Sequence, residues 1–189
     1  MKKTLCYLCL GSCMAFAGAC GNSSEGIGVK QAGEQNEEML GNLGKDEKAG
    51  WFAAKVTSMG LLEVELGRLA SSKATQPRVQ EFARMLQDHH TQMNAQLKQI
   101  ADLKNLVVPT RLGDDDQDTF NEVMNKSGAD FDKVYLSAMV ESHEDAIEEF
   151  EELIEKGQDQ ELKAFASKNL PMLRAHLGQA KQLQEEVSK

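Results

Sequence analysis

Between Phe52 and Leu103 the apolar residues recur at steps of three, four and seven, and a stretch of that length and period can bury its stripe only as helix. Phe52, Val56, Met59, Leu66 and Ala70 form one stripe, and Val79, Phe82, Leu86, Met93, Leu97 and Ile100 form a second. Ser71 and Ser72 lead into the break between them, where Thr75 or Gln76 can cap and Pro77 suits a first helical turn. The pattern predicts two long helices joined by a tight turn. Each carries a polar intrusion. Glu63 falls on the first stripe, and a charge there is costly unless it is paired or bound. Glu65, about 200° further round the helix, is expected in solvent. On the second helix His89 and His90 straddle the stripe about equally, so periodicity does not choose between them.

The rest of the chain repeats the theme. A third helix over about Ala129 to Lys156 aligns Leu136, Val140, Ile147, Phe150 and Ile154, with His143 in the gap of that stripe and its many acids forming a wet face. Gly157 ends it and Asp159 can cap a fourth helix, which turns Leu162, Phe165, Leu173, Ala180, Leu183 and Val187 inward together with His176. Pro171 interrupts that helix, frees a carbonyl near Ser167 and should kink it. Asn105 to Gly128 is long for a connection in a compact bundle. The run from Asp114 to Asp118 invites a calcium-loop reading, but Thr119 stands where glycine belongs and Asn125 where glutamate belongs. A short helix over about Gln117 to Asn125, with acids at its start, is expected instead. The fold class is therefore all-α: a ferritin-like four-helix bundle with a long crossover between helices two and three.

Four motifs in order carry a family resemblance. They are Gly60-Leu61-Leu62-Glu63-Val64-Glu65-Leu66-Gly67-Arg68-Leu69-Ala70, then Phe82-Ala83 with His90-Thr91, Asn94 and Leu97. Phe131-Asp132 with Tyr135, Val140 and His143 follow, and last Leu170-Pro171 with His176-Leu177. Over about Gly50 to Leu183 the chain resembles the bacterial domain of unknown function 4142. That resemblance implies a ferritin-like bundle in an exported or outer-membrane protein. The family's Asp-His pair maps onto His89-His90, which places its histidine at His90 and replaces its aspartate by His89, with Asp88 one place earlier.

The N-terminal segment reads differently. Lys2 and Lys3 precede an apolar run from Leu5 to Phe16 and the small residues Ala17-Gly18-Ala19, the layout of a leader peptide over residues 1–19. Ala-Gly-Ala-Cys resembles a lipobox, which makes Cys20 the expected lipidation site, membrane attachment through its acyl chains the expected anchor, and the cell envelope, at the outer membrane or periplasmic face, the expected location. A second lipobox-like run, Leu10-Gly11-Ser12-Cys13, would leave an unusually short leader. Cys6-x-x-Cys9 has zinc-ligand spacing but lies inside the leader, and a chain starting at Cys20 has no internal disulfide to draw on. Residues 20–48, rich in Gly, Asn, Gln, Ser and Glu, read as a flexible tether reaching roughly 30 Å, ahead of a bundle over 49–189. Loss of the leader takes the basic count from 21 to 19 against 30 acidic residues, a net charge of −11. That disfavours nucleic acid and anionic membrane surfaces as partners, since both need a basic patch.

Four helices thus offer Glu63, His90 (or His89), His143 and His176 on or beside their buried stripes. Imidazoles with one carboxylate in a bundle core suit zinc, copper or iron. The di-iron signature Glu-x-x-His is absent: Gln87, Val140 and Leu173 precede the three histidines by three places. A mononuclear site, serving storage, sensing or stress protection, stays open. Met59, Met85, Met93, Met139 and Met172 can be soft copper ligands or core filler. Asp88, Asp132 and Tyr135 can hydrogen-bond a ligating histidine. The competing reading is a non-catalytic envelope module, interacting with another protein or with its own copies, in which the Glu/His cluster is structural. Nothing resembles a nucleophile elbow or a glycine-rich phosphate loop, so an enzymatic reading has no motif to rest on.

Overall fold

The computed structural model describes residues 26–188. Six helices make up its ordered elements: α1 (Val29–Asn42), α2 (Lys48–Lys73), α3 (Pro77–Lys104), α4 (Asp114–Met124), α5 (Gly128–Lys156) and α6 (Gln160–Val187). Among the described residues there is no strand. The four helices expected from periodicity are α2, α3, α5 and α6. The leader and Cys20 lie outside the described residues.

Local chemistry sets the breaks. Pro77 opens α3, Asn105 in the left-handed region (φ 58) closes it, and the Asp159 carboxylate accepts from the Glu161 and Leu162 amides to start α6. Neither Thr75 nor Gln76 caps α3 with its own side chain. The turn ahead of α3 is fastened from α5: Asp132 accepts hydrogen bonds from the Thr75 and Gln76 amides, at 2.8 and 2.9 Å, and from the Thr75 hydroxyl at 2.6 Å. Pro171 is accommodated inside a continuous α6.

Contacts at the helix ends fix the directions. Asp132 places the start of α5 beside the start of α3, so these two run parallel. Lys48–Glu152 joins the start of α2 to the end of α5, and Lys104–Asp159 joins the end of α3 to the start of α6, so these pairs run antiparallel. The crossover must therefore travel the length of the bundle, and α4 does so along α2, from Ser58, bonded to Asp116, to Lys73, bonded to the Met124 carbonyl. Asp114, Asp115 and Asp116 form the first turn of α4, three residues earlier than expected, because carboxylates favour the positive end of a helix.

The tether expected over 20–48 does not hold for its second half, where α1 packs on α2. The physical reason lies in two residues that carry no apolar signal. Asn36, fully buried, donates to the Gly50 and Val107 carbonyls at 3.2 and 2.8 Å and accepts from the Val107 amide at 2.7 Å. Gly33 lets Trp51 lie so close that a Cβ there would stand 2.3 Å from the indole ring.

Two apolar clusters fill the bundle. One gathers Phe52, Leu97, Phe150, Phe165 and Leu173, and the other Leu66, Phe82, Leu86, Phe131, Tyr135 and Leu183. On every long helix the residues of the first cluster and those of the second flank the middle, and the polar residues Glu63, His90, His143 and His176 occupy that middle. Each large side chain buried in these layers contributes on the order of 1.5–3 kcal/mol, so the clusters clamp the polar layer from both sides.

Candidate metal centre

His90, His143 and His176 each continue an inward stripe: Leu86, His90, Met93 and Leu97 on α3; Met139, His143, Ala146 and Phe150 on α5; Leu173, His176, Ala180 and Leu183 on α6. The three imidazoles are no more than 3% exposed. One ring nitrogen from each lies within 4.8 Å of the others, a grouping able to hold a metal ion.

Hydrogen bonds assign the nitrogens. His143 Nδ1 lies 2.8 Å from the Met139 carbonyl oxygen, which can only accept, so Nδ1 carries the proton and Nε2 keeps its lone pair. That lone pair faces His176 Nδ1 at 3.3 Å. Two nitrogens bound to one tetrahedral ion would stand about 3.3 Å apart, given metal–nitrogen bonds near 2.0 Å. The other His176 nitrogen, Nε2, lies 2.9 Å from His89 Nδ1, and those two rings stack at 12°. His90 meets His143 edge to face, with centroids 5.3 Å apart, and neither of its ring nitrogens has a hydrogen-bond partner. Burial, reinforced by the neighbouring imidazoles, holds His90 well below the ordinary histidine value. Burial first, then His143 and His89, lowers His176 to about 3. Both therefore stay neutral at pH 7, the form that binds metal.

Glu63 stands behind this group instead of within it. Its Oε1 approaches His143 Nδ1 at 3.2 Å, on the ring edge away from the Nε2 that faces His176, and Ser142 stands beside the carboxylate. Burial raises its pKa, opposed by the adjacent His143 ring. Glu63, His90, Ser142, His143, Met59 and Met93 line a cavity of ≈ 10 Å³, about the room one water needs. Gly60 permits the close helix approach beside it, since a Cβ there would sit 2.0 Å from Asn94 Oδ1. A larger groove of ≈ 800 Å³ lies between α1, α4 and α5, where its charged lining is open to solvent. It holds none of the histidines.

The sequence-predicted residues separate accordingly. His90, His143 and His176 come together, while Glu63 touches the far side of one of them. The three residues expected to support a histidine do not do so. Asp88 is exposed. Asp132 is fully used on the α2–α3 turn, and Tyr135 stacks on Phe131 with a buried hydroxyl that has no partner. His89 and His90 are not alternatives. Adjacent helical residues point about 100° apart, so His90 faces the core while His89 reaches across to α6, a consequence available from the helix pitch alone. The support that the sequence could not show is the Met139 carbonyl.

A family model described as Domain of unknown function (DUF4142) matches residues 34–183. The chain belongs to the DUF4142 family. No curated protein matches it, and no solved structure does. The DUF4142 match begins inside α1, taking in residues 34–42 of that helix, and it spans all four residues of the central polar layer.

Proposed function

We propose that this DUF4142 bundle binds one transition-metal ion through His90, His143 and His176, with Glu63 orienting His143 and supplying countercharge from behind it. The observation that carries this reading is the geometry at His143, with Nδ1 at the Met139 carbonyl and Nε2 facing His176. The His143 Nδ1–H is spent on the Met139 carbonyl, so an oriented lone pair points at His176 from ligand-pair distance. A purely structural cluster would satisfy its members, whereas neither ring nitrogen of His90 has a hydrogen-bond partner. Zinc, copper and iron suit imidazole donors. One ion per bundle fits a carrier, sensor or protective role at the cell envelope, to which lipidation at Cys20 would attach the chain; it does not fit bulk storage.

Metal content after purification without a nickel tag tests the proposal. The expected result is one ion per chain, lost in His143→Ala and His176→Ala. His89→Ala should retain the ion but weaken binding about 10–100-fold, because it removes the partner of a ligand's second nitrogen. A folded, metal-free chain whose melting curve ignores added zinc, copper and iron would reject it.

A further inference from the structure

A cation held among buried imidazoles needs a way in, and two hollows meet at one side chain to offer it. The cavity bordered by His90 and His143 and the groove of ≈ 800 Å³ between α1, α4 and α5 share one lining residue among those described, Met59. Met59 is half-buried against the apolar core. Its unbranched chain has several rotatable bonds, so it can swing aside without moving α2. Behind it His90, 2% exposed, lines the inner cavity with both ring nitrogens unpartnered. The approach to His176 is covered by the His89 ring stacked on it, 2.9 Å from nitrogen to nitrogen.

The groove also carries the charge that collects cations. Its basic residues are each paired with a carboxylate, Lys30 with Glu34, Lys55 with Glu149 and Arg111 with Asp114. Asp115, Asp116, Asp145 and Glu148 line the same groove and have no ion-pair partner among the described residues. A concave surface with an excess of one sign of charge raises the local concentration of counter-ions and their rate of arrival. We infer that this acidic groove is the entrance through which a cation reaches the histidine centre, with the Met59 side chain as the gate between them. The inference rests on the metal-binding reading above and adds the path to that site.

The test uses the full chain with Cys6, Cys9, Cys13 and Cys20 replaced by serine, so that no thiol competes, and stripped of metal by chelator. Zinc(II), copper(II) and, without oxygen, iron(II) are each mixed with it in stopped flow. A chromophoric chelator reports uptake, and an excess of chelator drives release. Met59→Ala is expected to speed uptake and release alike by about tenfold, the factor that one side chain's packing sets on a barrier. The Kd should stay within about threefold, because a gate changes the barrier and not the end states. Met59→Phe should slow both rates. Asp115→Asn with Glu148→Gln should slow uptake about tenfold at low salt and flatten its dependence on ionic strength. Wild-type rates in both Met59 variants, a Kd changed by about tenfold or more in them, or wild-type uptake in the charge variant overturns the inference. The metal reading then stands if the ion is still bound and is lost in His143→Ala. A folded chain that takes up none of these ions overturns both.

Discussion

At the scale of single residues, the polar layer makes stability depend on pH in a calculable direction. His176 is depressed to about 3 in the folded chain, against an ordinary value of 6.5, so the unfolded chain binds more protons between those values. Its contribution is complete above pH 6.5 and is lost as pH falls toward 3, and His90 acts with the same sign. Each pH unit in that window removes at most about 1.4 kcal/mol per histidine. Glu63 works the other way: its folded pKa is raised, so its contribution is present below 4.5 and lost as pH rises through the folded value. With two imidazoles against one carboxyl, the melting temperature of the chelator-treated chain is expected to drop from pH 7 to pH 5, and His176→Gln should flatten that drop. A wild-type melting temperature constant over that range would contradict the proton placements. Which residues would cluster was largely legible from sequence, because His143 and His176 break apolar stripes that otherwise run unbroken. What each residue would touch was not. Asp132 and Tyr135 share helix faces with the site by period, yet Asp132 lies about three turns from His143, where the α2–α3 turn offers free amides.

At the scale of elements, the four long helices follow from apolar spacing and the short α4 from its acidic first turn. Helix α1 escaped notice because its buried face consists of Ala32, Gly33, Asn36 and Leu40, which is too small and polar to register as a stripe. The Asn36 amide, the close fit of Gly33 on Trp51, a Trp51–Glu37 hydrogen bond and Leu40 in the apolar core hold it. Asn36→Ala would strand the Val107 amide and carbonyl, at about 1–3 kcal/mol for each group left unsatisfied. The expected outcome is faster amide hydrogen exchange across Val29–Asn42, with α3, α5 and α6 keeping their protection. Unchanged exchange in α1 would show that the asparagine does not pin it.

At the scale of the whole molecule, the long crossover gives α3 and α5 the same direction, and this brings the midpoints of α2, α3, α5 and α6 to one level. Apolar clusters above and below then seal that level from water. Among the described residues no helix is long and apolar enough to cross a membrane. The envelope attachment proposed here is through Cys20, and Cys20→Ser is expected to move the chain from the membrane fraction to the soluble one; wild-type chain found free of membranes would contradict that. The central claim is that three histidines, 53 and 33 residues apart along the chain, share one ion. X-ray absorption at the edge of the bound metal, on the chain with Cys6, Cys9, Cys13 and Cys20 replaced by serine, tests it most directly. The account predicts a first shell that includes imidazole nitrogens at about 2.0 Å, with the outer scattering of histidine rings. A shell of oxygen without ring scattering, or a spectrum unchanged when His90, His143 and His176 are replaced by alanine, would contradict it.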